Sequence, residues 1–103
     1  HPMRLRAVVL IIQMNELCVC ELTHTLGQAQ PVISRHLSQL KETKILLARK
    51  QGQWVYYRIN DELPKWALGV IRATLNGVLD LPPYQNDRQA LYTMSNRPNQ
   101  ACC

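Results

Sequence analysis

The stretch from Gln28 to Lys41, Gln-Ala-Gln-Pro-Val-Ile-Ser-Arg-His-Leu-Ser-Gln-Leu-Lys, constrains the fold more than any other. Val32, Ile33, Leu37 and Leu40 recur at helical spacing and leave Gln30, Ser34, Arg35, His36 and Gln39 on the remaining surface. Such a helix has one side to bury and one to offer. Gln and Arg can hydrogen-bond base edges in a major groove, and Ser and Lys can bond phosphates, so the polar side suits a nucleic acid. An ordinary solvated helix face is the competing reading, and the neighbouring segments decide between them.

On the N-terminal side, Met3, Leu5, Val8, Val9 and Ile12 predict a core helix over residues 2–13, with Arg4 and Arg6 outward and Pro2 suited to a first helical position. Leu17 to Leu26 predicts a short helix stopped by Gly27, which tolerates the left-handed cap conformation. Gln28 and Ala29 then start the next helix, with Pro31 in its first turn, where the N–H groups have no intrahelical acceptor. Two short helices across a Gly-containing turn make a helix-turn-helix candidate whose second helix enters the major groove.

On the C-terminal side, Ile45 to Lys50 and the alternating, β-branched and aromatic run Trp54 to Ile59 flank Gly52 and predict a β-hairpin. Tipped with Lys50, Gln51 and Gln53 and placed after a helix-turn-helix, that hairpin is a wing. Asn60 or Asp61 is expected to N-cap a further helix with Pro64 in its first turn. Its Trp66, Leu68, Val70, Ile71 and Leu75 offer more apolar surface than so small a domain can cover, which predicts a dimer helix. Leu81-Pro82-Pro83-Tyr84 ends it, Asp87 to Met94 is expected to form one more short helix, and Ser95 to Gln100 has the composition of a loose tail. The expected organisation is a winged helix-turn-helix domain over residues 1–79, mainly α with a β-hairpin wing, and a C-terminal extension over residues 80–103.

A chain of 103 residues, 47% hydrophobic, suffices for one modest core. Its formal charge of +5 and pI near 9.3 favour a polyanionic partner such as double-stranded DNA. No apolar run reaches the roughly 18 residues needed to cross a bilayer, which predicts a cytoplasmic protein without membrane contact. The first residues, His1-Pro2, lack an initiator methionine, so further residues are expected before them. An enzyme is not expected: there is no Cys/His/acid arrangement, phosphate-cradling Gly loop or paired-carboxylate motif. Four cysteines, Cys18 with Cys20 and Cys102 with Cys103, are not spaced like a secreted disulfide framework and point to metal, metalloid or redox chemistry.

Glu16-Leu17-Cys18-Val19-Cys20-Glu21-Leu22, then Gln30-Pro31-Val32-Ile33-Ser34-Arg35-His36-Leu37, then Arg49-Lys50-Gln51-Gly52-Gln53-Trp54-Val55-Tyr56-Tyr57-Arg58 closely resembles the ArsR/SmtB family of metal-sensing repressors, in its arsenic-responsive branch. The resemblance runs from about Met3 to about Ile71. It implies a winged helix-turn-helix homodimer that sits on operator DNA without any cofactor, blocks transcription, and leaves when a metal or metalloid binds. Carried over by position, Gln28, Gln30, Ser34, Arg35, His36 and Gln39 belong to the DNA-reading helix and Lys50, Gln51 and Gln53 to the wing. His36 has a second reading, in which the ring packs against the turn or bonds a phosphate.

The expected inducer is trivalent arsenic or antimony, which are thiolate-seeking and typically bind three sulfurs in a pyramid. Where arsenic-responsive relatives resemble Cys-x-Cys-x-x-Cys, this chain has Cys18 and Cys20 but Thr23 in the third place. Three alternatives follow. Cys102 or Cys103 supplies the missing sulfur; or the vicinal pair forms a separate site and Cys18 and Cys20 are remnants; or two thiols hold methylarsenite, whose carbon occupies the third bond. A tetrathiolate cadmium or lead site is weaker, and zinc weaker still, since the family's zinc sites use His on the dimer helix and Asp61 to Leu79 has none. A thiol-redox repressor of the same fold is the other alternative. In a regular helix, cysteines two apart diverge by about 200°, so chelation must unwind the helix or begin from a non-helical turn. A further departure is Lys44, where relatives usually place Gly; if that position needs a positive φ, Lys costs about 1 kcal/mol relative to Gly, which the fold tolerates.

Overall fold

The computed structural model describes residues 2–93. Eight elements follow in order: α1 (Pro2–Met14), β1 (Glu16–Cys18), α2 (Val19–Leu26), α3 (Gln30–Glu42), β2 (Leu46–Gln51), β3 (Trp54–Ile59), α4 (Lys65–Val78) and α5 (Tyr84–Thr93). This is the expected winged helix-turn-helix, mainly α with a hairpin, and with one strand that the sequence did not reveal.

α1 is central. Ala7 to Ile11 are all buried, and Leu10 and Ile11 meet Leu22 of α2, Leu37 of α3 and Leu46 of β2 in one core. Each fully buried Leu or Ile there contributes about 1.5–3 kcal/mol relative to exposure. Arg4 and Arg6, expected to point outward, are instead half-buried because each finds a partner across the core's edge. Arg6 makes a bidentate pair with Asp87 of α5 at 2.8 and 2.7 Å, and Asp87 is only 3% exposed. Together with the fully buried Leu91, that pair docks α5 on α1 and α2.

The sheet is antiparallel in the order β1-β3-β2. β1 occupies residues expected to begin a helix. Asn15, at φ 70°, turns the chain out of α1, and Glu16, Leu17 and Cys18 then pair with Arg58, Tyr57 and Tyr56. Leu17 is buried opposite the buried Tyr57, so burial of that face offsets the helical preference of the segment.

Two positive-φ residues bracket α3. Gly27 caps α2 at φ 66°, as the sequence requires. Lys44 has the same φ, and the N–H groups of Ile45 and Lys44 donate to Leu40 and Lys41 carbonyls at 3.1 and 2.9 Å, a Schellman ending. Asn60 holds that ending: its Nδ2 donates to the Lys44 carbonyl at 2.9 Å and its Oδ1 accepts from the Glu62 N–H. Neither Asn60 nor Asp61 is therefore the cap of α4, which begins at Lys65 with Pro64, four residues after Asn60, at the N-cap.

α4 buries none of its residues. Trp66 and Val70 are 74% and 58% exposed, and Val70, Ile71 and Thr74 border an apolar groove whose other wall is Leu5, Val8, Val9 and Ile12 of α1. Among the described residues no helix is long and apolar enough to cross a membrane.

Candidate nucleic-acid interface and thiol site

α3 presents its polar side as the spacing predicts. Gln30, Arg35 and Gln39 are exposed, Ser34 is half-buried, and Gln28 is exposed in the turn just before. Lys50, Gln51 and Gln53 are exposed around the wing's turn, where Gly52 takes φ 62°. These side chains form two displays, one on a helix and one on a ribbon, both shapes that a major groove or its flanking phosphates admit.

His36 does not share that surface. It is 8% exposed, and its Nδ1 accepts a hydrogen bond from Arg4 Nε at 3.1 Å. An accepting Nδ1 is unprotonated, and burial, then the positive charges of Arg4 and Arg35, hold the imidazole below its ordinary 6.5. The ring thus fastens α3 to α1. Its position was legible: Ile33, His36, Leu37 and Leu40 follow the i, i+3, i+4, i+7 spacing of a buried stripe.

Cys18 and Cys20 are brought together. Cys18 ends β1 and is the N-cap of α2, with extended φ −87° and ψ 163°. Cys20 lies in the first turn of α2, and the two Sγ atoms are 2.7 Å apart. The non-helical start that chelation demands is therefore built in. Glu21, 4% exposed, fixes it by accepting the Cys18 N–H at 3.0 Å. Thr23, at the third place, donates its hydroxyl to the Val19 carbonyl at 2.8 Å and is committed to the helix. Two sulfurs of suitable chemistry thus converge among the described residues, where no group of three His, Cys, Asp or Glu gathers. Cys102 and Cys103 lie outside the described residues.

Cys18 stands opposite Tyr56 in the sheet. Burial, and next the adjacent Cys18, push the Tyr56 phenol above its usual 10.0, with Arg49 opposing. Arg49 and Glu16, which composition and spacing did not single out, form a bidentate pair on this face. The pair lowers the Glu16 carboxyl and raises the Arg49 guanidinium.

A helix-turn-helix with an exposed polar face, a wing, and a cysteine pair at the start of the first of its two helices defines a winged-helix DNA-binding regulator rather than an enzyme. Residues 1–46 match the bacterial regulatory protein arsR family. The chain is 45% identical over 102 residues to the arsenic resistance transcriptional regulator ArsR2 of Pseudomonas putida, covering 97% of this chain and 87% of that protein. It is 52% identical over 68 residues to the arsenical resistance operon repressor of Escherichia coli, covering 66% of this chain and 58% of that one. The transcriptional repressor PagR of Bacillus anthracis superposes with a TM-score of 0.61 at 31% identity, over 72% of this chain and 80% of its own. The chain belongs to the arsR family.

Proposed function

We propose that this chain is a homodimeric repressor that holds operator DNA and releases it when a trivalent metalloid closes on Cys18 and Cys20. The observation that carries the reading is the 2.7 Å approach of the two sulfurs at the start of a helix packed on the exposed α3. Relatives named for arsenic resistance support the choice of metalloid. On the DNA side, Gln28, Gln30, Ser34, Arg35 and Gln39 reach the groove and Lys50, Gln51 and Gln53 its flank. His36 supports from beneath through Arg4.

The chemistry is a condensation. Each thiol gives its proton to an As–OH group, water leaves, and an As–S bond forms, so arsenite takes three thiols and methylarsenite two. With Thr23 engaged elsewhere, the third sulfur for arsenite or antimonite comes from Cys102 or Cys103. Cadmium, lead and zinc, which favour four donors, fit the convergent pair less well.

The second copy covers α4. Trp66 and Val70, one turn apart and exposed, together with the apolar groove against α1, give a continuous apolar surface of the kind that marks an interface.

The test is fluorescence anisotropy on labelled operator DNA with arsenite, methylarsenite, cadmium and peroxide. Wild-type release by the arsenicals, lost in Cys18→Ser/Cys20→Ser, is expected. Arsenite release should also fail in Cys102→Ser/Cys103→Ser while methylarsenite release persists. Unaltered arsenical response in Cys18→Ser/Cys20→Ser would sink the assignment, and release by peroxide alone would favour thiol–disulfide sensing.

A further inference from the structure

One face of the sheet holds a side-chain connection that neither DNA contact nor thiol chelation requires. Cys18 stands opposite Tyr56, and Tyr56 stands opposite Arg49, so these side chains share one face. Glu16 lies two residues before Cys18 on the same strand and on the same face.

Arg49 sits where these meet. Its Nε and Nη2 donate to the Glu16 carboxylate at 2.8 and 2.6 Å, and its Cζ lies 4.6 Å from the Tyr56 ring centroid. The remaining Nη1 donates to Gln51 Oε1 at 2.7 Å, at the wing's turn. A planar fork bonded on two sides and stacked on a third has its orientation fixed, which a lysine could not reproduce. The Arg49 and Glu16 side chains are 48% and 24% exposed, so the pair adds little to stability. Its significance is directional. Glu16 belongs to β1, Tyr56 to β3 and Gln51 to the end of β2.

A centre bound by both sulfurs sets their separation through its own bond lengths and angles. Cys20 is held in a helix, whereas Cys18 is the last residue of a three-residue edge strand, so adjustment falls on β1. We propose that Arg49 is a positioning residue that transmits the state of the Cys18–Cys20 pair to the wing, re-aiming Lys50, Gln51 and Gln53 when metalloid binds. This rests on the function proposed above and adds a route through the wing to any strain passed directly from α2 to α3.

The discriminating variants are Glu16→Gln, which keeps shape and removes the pairing charge, and Arg49→Lys, which keeps charge and removes the fork. Three quantities are measured for each: operator affinity without arsenite, arsenite affinity from the ultraviolet absorption of the As–S bonds, and operator affinity at saturating arsenite. Glu16→Gln is expected to hold the first two within about twofold. The arsenite-induced loss of operator affinity should shrink from roughly a hundredfold to tenfold or less, within the ordinary range of coupling between sites. Arg49→Lys should reduce the response in the same direction. A full response in both variants, with wild type also released, overturns the wing route alone. A reduced response explained entirely by weaker arsenite binding overturns it as well. Failure of arsenite to release the wild-type protein removes both the proposed function and this inference.

Discussion

α3 and α4 are nearly the same length, 13 and 14 residues, and α4 is the more apolar of the two, yet α3 buries four residues and α4 none. Apolar content therefore does not decide which helix enters the core. α3 has a narrow stripe, Ile33, His36, Leu37 and Leu40, that α1, α2 and β2 bury, which leaves its other polar residues facing outward. α4 spreads Trp66, Val70 and Ile71 over more surface than α1 alone can cover. One helix is finished by its own chain, and the other keeps an open apolar face, the one on which the proposed second copy would sit.

The largest effect expected from this contrast is at Leu37. Truncation to Ala in a fully buried site should cost about 2–5 kcal/mol, read as a lower denaturant midpoint. A Leu37→Ala protein as stable as wild type would mean that the α3 stripe is not the core seam described. On α4, Trp66→Ala/Val70→Ala should raise the dimer dissociation constant by at least tenfold in sedimentation, about 1.4 kcal/mol, while the far-ultraviolet spectrum keeps its helix content. An unchanged dissociation constant would place the second copy elsewhere.

The smallest effect sharpens the α3 side. Because the folded protein holds the His36 imidazole below 6.5, the unfolded chain takes up the proton first on acidification. The stability that His36 contributes is complete above the ordinary imidazole range and is lost as pH falls through 6.5 toward the folded value. Stability measured from pH 7.5 downward should fall more in wild type than in His36→Gln. Equal slopes would show that the Arg4 contact does not depend on a neutral ring.

Much of the fold was legible because it is local. Gly27 marks the turn, the apolar spacing of α3 marks its buried side, and the alternation from Trp54 to Ile59 marks the wing. At Lys44, where the resemblance implies a Gly, the conditional case holds: the residue adopts the left-handed backbone, at a cost of about 1 kcal/mol relative to Gly. β1 was not legible, since three residues show no period and their pairing partner lies far along the chain. With β1 hidden, the choice between an unwound helix and a non-helical start at Cys18 stayed open, because it depends on an extended residue at the N-cap. Arg4 and Arg6 looked like solvated charges, and their partners, His36 and Asp87, are supplied by elements much later in sequence.

That same distant pairing sets an order of events during synthesis. The α2 and α3 turns can close as soon as they are made, whereas β1 has no partner until β3 has been synthesised, and pairings between distant segments form late. A chain still emerging from the ribosome thus displays two cysteines with no fixed relation to each other. They become a matched pair only when the wing is in place, so the cysteine pair and the wing mature together.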